Sequence, residues 1–141
     1  MSKENSYDGA TAGRVLVFND SGSISFPQSF RQALGTDFGL MVLSYKERTI
    51  KIFPMAAKDP KFLSIEISKL SNDFLTRLSQ VFKSAGLVDL LYSTGVCLRG
   101  TRCFYECYFA PEQLVVSPKE LKDSLESLEG VKAVLIETVS K

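Results

Sequence analysis

The 141-residue chain predicts an α+β protein of two units, ββαββ over residues 14–54 and βαββαβ over residues 62–141. Three features lead there. Short alternating or β-branched apolar runs recur, each stopped by Gly, Pro, Asn or Asp. Apolar residues at helical spacing occur in three places, each with its own cap and stop signals. Finally, the stretch PMAAKDPK puts two prolines among small and charged residues and continues no pattern, so residues 55–61 read as a linker.

Residues 1–13 (MSKENSYDGATAG) are polar and small and read as a flexible arm. Val15–Phe18 is a β-prone apolar run, Asn19–Gly22 a turn cluster, and Ser23–Phe26 an alternating strand. Pro27 has no N–H to donate, so it ends that strand and suits a helix start. The helix Gln28–Leu34 follows, with Phe30 and Leu34 on one face and Gly35 at its end. A turn at Thr36–Gly39 leads into the strand Leu40–Tyr45. Lys46–Arg48 then turns into Thr49–Phe53, which Pro54 stops. Some forty residues are too few to bury a good core alone, and a dimer is the natural remedy.

The second unit opens with the strand Phe62–Ile67. Ser71 or Asn72 caps a helix whose Phe74, Leu75, Leu78, Val81, Phe82 and Ala85 share a face, ending at Gly86. Val88–Leu98 and Arg102–Phe109 are strands about a short turn at Arg99–Thr101. Alternation puts Phe104 and Tyr108 on one face, Tyr105 and Phe109 on the other. Ser117-Pro118-Lys119-Glu120 is a capping box for a helix lined by Leu121, Leu125 and Leu128. Gly130 closes it, and Val131–Val139 is the last strand.

At 45% hydrophobic and 23% charged, the composition is globular. A net charge of +1 argues against a strongly electrostatic nucleic-acid binder. No apolar run reaches the length of a membrane span, and the N-terminus has no signal-peptide pattern, so a cytoplasmic protein without membrane contact is expected. The chain has no histidine, which removes the usual general base and the Ser-His and Cys-His nucleophile pairs. No catalytic residue, cofactor or metal site is expected, and the protein does not read as an enzyme. Cys103 and Cys107 lie four apart on one strand, about 13 Å at ~3.3 Å per residue, too far for a bridge or one shared metal. Cys97 can at best meet Cys103 across a hairpin. Buried or reduced thiols are the expectation for all three.

Asp20, Gly22, Ile24, Pro27, Arg31, Leu34 and Gly35 spell D-x-G-x-I-x-x-P-x-x-x-R-x-x-L-G. This order and spacing, with the following hairpin and the Ile50–Pro54 ending, resembles the AbrB/SpoVT-type swapped-hairpin domain over residues 14–54. The resemblance implies an obligate dimer of interleaved hairpins forming a small β-barrel that binds DNA. It implies Arg14, Ser23, Arg31, Gln32, Lys46 and Arg48 as DNA-contacting positions, with Lys51 nearby. DNA-binding members usually carry basic residues where Leu16, Ser23 and Gln32 stand, and of that set only Arg31 is basic here. Residues 1–58 hold seven Lys/Arg and five Asp/Glu, a balance of +2 per chain. Arg31 also has a structural reading, as an ion-pair partner of Asp20 or Asp37.

The order βαββαβ and the Leu128–Val131 approach to the last strand resemble the ACT and RAM ferredoxin-like regulatory modules. That implies oligomerisation and an amino-acid-like ligand at Ser71, Asn72 and Asp73, where ACT domains often carry a glycine. RNA-recognition motifs share the topology, and Arg99-Gly100 with Phe104 and Tyr105 resembles their third strand. The first strand lacks the matching exposed aromatic. The sequence therefore predicts a transcriptional regulator, a homodimer or higher oligomer with DNA as partner. The alternative is a non-DNA-binding interaction or metabolite-binding protein whose first unit only dimerises.

Overall fold

A computed structural model describes residues 11–16, 18, 22–56, 59–98 and 102–140. Over these residues the protein is α+β, with three α-helices and two antiparallel sheets. The order is α1 (Gln28–Leu34), β1 (Phe38–Ser44), β2 (Thr49–Met55), β3 (Lys61–Ile67), α2 (Asn72–Ser84), β4 (Tyr92–Leu98), β5 (Arg102–Phe109), α3 (Pro118–Glu126) and β6 (Val131–Thr138). A single 3-10 turn, Pro111–Gln113, precedes α3. Strands β1 and β2 pair as a hairpin, and the other four are ordered β4-β5-β3-β6.

The local chemistry of α2 and α3 fixes their starts. Ser71 Oγ accepts the Phe74 N–H at 3.1 Å, and Ser117 Oγ accepts the Glu120 N–H at 3.1 Å, each satisfying an orphan donor of the first turn. One face of each helix is then buried: Phe74, Leu78 and Phe82 on α2, Leu121 and Leu125 on α3. They close over Leu63, Ile65 and Ile67 of β3, Cys107 and Phe109 of β5, and Val134 of β6. Burying each such side chain fully contributes about 1.5–3 kcal/mol, so this core holds the four-stranded sheet and its helices together. Past α2 the chain reverses at Gly86, φ 81°. A Cβ there would meet the Gln113 carbonyl oxygen at 2.7 Å, so both the turn and the close approach require glycine.

The first unit is different. Among residues 11–56 only Leu40 and Val42 are buried apolar side chains, while eleven of the fifteen exposed large apolar side chains of the described protein lie between Val15 and Ile50. Of the expected strands Val15–Phe18 and Ser23–Phe26, the described residues Val15, Leu16, Phe18 and 22–27 belong to no strand, and Val17 lies outside the described residues. A strand exists only as a ladder, and these segments have no ladder partner among the described residues. Of the expected ββαββ, the described residues hold αββ. Most of the expected arm and of the Asn19–Gly22 turn, part of the linker, and the Arg99–Thr101 turn lie outside the described residues.

Three further expectations are corrected. Strand β2 runs through Pro54, which sits opposite Gly39 in a two-stranded sheet where its missing N–H leaves no inner ladder broken. Strand β4 starts at Tyr92 instead of Val88. Cys97 and Cys103 are joined in a disulfide, where reduced thiols were expected. The β4–β5 register puts the two residues directly opposite each other, Cα to Cα 4.0 Å, which brings the sulfurs together. Cys107 is a free, buried thiol, and burial pushes its pKa up to about 12.

Candidate nucleic-acid interface

Helix α1 is short because both ends are fixed by backbone chemistry. Pro27, extended at φ −57° and ψ 144°, precedes it, and its carbonyl accepts the Phe30 and Arg31 N–H groups at 3.1 Å. Gly35, in the left-handed region at φ 71°, ends it and donates its N–H to the Gln32 carbonyl. The Phe26 and Phe30 rings lie 5.9 Å apart, which ties the incoming segment to the helix. Arg31 and Gln32 are consequently side by side and exposed. Arg31 makes no ion pair among the described residues, Asp37 included; Asp20, the other candidate partner, lies outside them.

Lys46 and Arg48 occupy the β1–β2 turn and are exposed. Arg48 stands at φ 57°, the left-handed region, as the last residue of that turn. Ser44 Oγ accepts the Glu47 N–H at 3.3 Å and closes the turn from inside. Arg14 and Ser23 are also exposed. The six positions thus stand on three segments: the stretch before α1, α1 itself and the hairpin turn. Lys51 has another use, with its Nζ 5.1 Å from the centre of the Tyr92 ring.

The expected ligand-binding residues Ser71, Asn72 and Asp73 form the start of α2. Ser71 Oγ is the α2 cap, the Asn72 carbonyl accepts the Thr76 hydroxyl at 2.9 Å, and Asp73 pairs with Arg77 at 2.9 Å. Arg77 NH1 is also 3.9 Å from Glu129, while its Nε is buried without a partner.

The sheet face away from the helices carries features that sequence reasoning missed. Phe53 of the hairpin lies 5.7 Å from Tyr92, Tyr92 6.5 Å from Tyr108, and Tyr108 5.0 Å from Phe62. This aromatic row, with Lys51 over Tyr92, is where the hairpin meets the four-stranded sheet. Glu66 accepts both Nε and NH2 of Arg102 at 3.1 Å. That bidentate hydrogen bonding from Arg102 holds the Glu66 carboxyl below its ordinary range. Glu106, half-buried on the same face, has its carboxyl pushed up by desolvation. Burial raises Tyr108 as well, assisted by Glu106 and Tyr92. Alternation along β5 had placed Tyr108 on this face; its partners depend on cross-strand register, which no local signal reveals.

The described residues hold no group of three or more His, Cys, Asp or Glu side chains able to bind a metal, and none of their helices is long and apolar enough to cross a membrane. No protein-family model and no curated protein sequence matches the chain.

Proposed function

We propose that the protein is a cytoplasmic, dimeric transcriptional regulator without enzymatic activity. Its first unit is a swapped-hairpin domain of the AbrB/SpoVT kind that grips DNA through Arg31 and Gln32 of α1 and Lys46 and Arg48 of the hairpin turn, with Arg14 and Ser23 beside them. A two-fold dimer offers these groups twice, to pseudo-symmetric DNA. The second unit is a ferredoxin-like module of the ACT and RAM kind that oligomerises and takes an amino-acid-like ligand near Ser71, Asn72 and Asp73. The strand order β4-β5-β3-β6 supports the ferredoxin-like part.

One observation carries the reading. A short helix framed by Pro27 and Gly35 presents Arg31 to solvent without an ion pair among the described residues, in a unit that leaves most of its apolar side chains uncovered. A second copy supplying the missing strands would cover that surface and leave the arginine outside.

The test is fluorescence anisotropy of genomic DNA fragments, including the protein's own upstream region, at two salt concentrations. The reading expects salt-dependent binding with a slope well short of the ~10 of a strong repressor, given the weak positive balance of residues 1–58. Absence of binding at low salt refutes it. The other reading, a dimer that binds no DNA, is favoured by the uncharged Leu16, Ser23 and Gln32 and by the use of Lys51 at Tyr92. It predicts a dimer in sedimentation with no anisotropy change.

A further inference from the structure

A cavity of about 370 Å³ opens between α2 and the segment 87–90, on the helix side of the sheet and away from the DNA-binding positions. Its floor is apolar: Leu78, Phe82 and Leu87 are buried, and the Tyr105 ring lies 6.1 Å from that of Phe82. The rim carries Ser79 and Lys83, one turn apart on α2, and the exposed Val88.

The wall of this cavity is built against local preference. Residues 88–90 read as the start of a strand, yet they stand outside the ladder, which Leu91 first touches by donating its N–H to the Tyr108 carbonyl at 2.8 Å. Gln113 holds them out. Its Oε1 accepts the Val88 and Asp89 N–H groups at 3.0 and 2.9 Å, and its Nε2 donates to the Asp89 and Ala110 carbonyls at 2.8 and 3.1 Å. Three of the amide's four hydrogen bonds go to the Val88 and Asp89 backbone, and the fourth, to Ala110, anchors Gln113 itself. Places where a fold departs from its sequence preference tend to be sites of function.

The size lies at the small end of ligand pockets, about 300–1,000 Å³. Lys83 is the only charged residue in the lining, and it forms no ion pair among the described residues. No carboxylate lines the cavity to receive an ammonium group. We infer that this cavity binds a small apolar carboxylate without an amino group, such as a medium-chain or branched acid, its hydrocarbon part on Leu78, Phe82, Leu87 and Tyr105 and its carboxylate at Lys83 and Ser79. This site is separate from Ser71–Asp73, and it stands whether or not the first unit binds DNA.

The experiment is calorimetric titration of the full chain with octanoate and with octanamide, its uncharged counterpart. Wild type takes up one octanoate per chain, saturably. Lys83→Ala weakens octanoate about tenfold and leaves octanamide unchanged, since it removes one charge-assisted contact. Val88→Trp and Ser79→Trp, both at exposed rim positions, plug the mouth and abolish binding of both probes with unchanged circular dichroism. Three results overturn the inference: no saturable octanoate uptake by wild type, uptake that survives both tryptophan variants, or equal weakening of both probes by Lys83→Ala.

Discussion

Replacing Arg31 by alanine separates a DNA-contacting arginine from a structural one. The cost to the fold follows from its surroundings. Arg31 is exposed, has no ion pair among the described residues, and sits on a helix where alanine is the better helix former. A surface substitution of this kind changes stability by roughly 0.5 kcal/mol or less, a melting shift of at most a few degrees. In the proposed two-fold dimer the cost to DNA binding is doubled by symmetry. Each lost base contact is worth about 1–3 kcal/mol, so two in a dimer weaken affinity by about thirtyfold or more. If both contacts are to phosphates, the slope of log K against log salt falls by about 1.8, at ~0.9 per phosphate neutralised.

The assay is anisotropy of the same DNA fragments at two salt concentrations, paired with thermal melting of both proteins and sedimentation to confirm equal dimer content. Arg31→Ala is expected to lose much of its DNA affinity with melting temperature and dimer content unchanged. Two outcomes refute it. Wild type and Arg31→Ala binding the same DNA equally would remove Arg31 from the interface. A melting drop beyond about 5 °C would make Arg31 a structural residue, and weakened DNA binding would then follow from unfolding.

Four further predictions rest on other parts of the molecule. Arg48→Gly relieves a left-handed backbone that costs an ordinary residue about 1–2 kcal/mol, so its melting temperature rises while DNA affinity falls; a fall in both would mean that the side chain holds the turn. Reduction of the Cys97–Cys103 bond with dithiothreitol lowers stability by about 2 kcal/mol for so short a closed loop, read as a lower urea midpoint, and Cys97→Ser abolishes the sensitivity to reductant. The Glu106 carboxyl titrates above its ordinary 4.5, so the folded state holds its proton more tightly than the unfolded one. Its contribution is fully present below that value and is lost as pH rises through the folded pKa; Glu106→Gln therefore raises the melting temperature more at pH 7 than at pH 4, and an equal gain at both would contradict the sign. Gln113→Ala frees Val88 and Asp89 at a cost of about 2 kcal/mol, with faster amide exchange at both as the local signature.

What the sequence reveals of this fold is what local chemistry decides. Pro27 and Gly35 frame α1, Ser71 and Gly86 frame α2, and Ser117 and Gly130 frame α3 with its last turn; each acts within a few residues of its own position. The alternation of β3, β5 and β6 is equally local, and it places Phe109 in the core and Tyr108 outside. The features that escape sequence reading depend on distant partners. Gln113 displaces the start of β4 from 25 residues away. The Cys97–Cys103 bond and the Arg102–Glu66 pair follow from strand register, which neither residue signals alone. Val15, Leu16, Phe18 and residues 23–26 come from strand-like sequences and lie in no strand, because among the described residues they have no ladder partner. At the candidate interface, the exposure of Arg31 is legible from the cap spacing, whereas its freedom from Asp37 and the diversion of Lys51 to Tyr92 are not.

If the proposed DNA-binding and acid-binding sites are coupled, the contact between the units at Tyr92 is the route the structure offers. Linkage requires that the ligand prefer one arrangement of the protein, and it then changes DNA affinity by the same factor by which DNA changes its own. In the second unit the proposed acid-binding cavity touches β5 through Tyr105, and three residues along the same strand Tyr108 belongs to the aromatic row that meets the hairpin. Tyr92 joins that row to Phe53 and Lys51 on β2, the strand that begins next to Arg48. Any shift of β5 against the hairpin must therefore break or keep the Lys51–Tyr92 contact. Breaking it releases the already exposed Lys51 from the ring, on the strand that follows the turn carrying Lys46 and Arg48. On the proposed regulator reading, each phosphate contact that the released Lys51 gains adds about 0.9 to the salt slope. Tyr92→Leu, which removes the ring but keeps an apolar contact for Phe53, mimics the released state: if the units are coupled here, it steepens the salt slope and uncouples DNA affinity from octanoate, and a variant with wild-type values for both would place the coupling elsewhere.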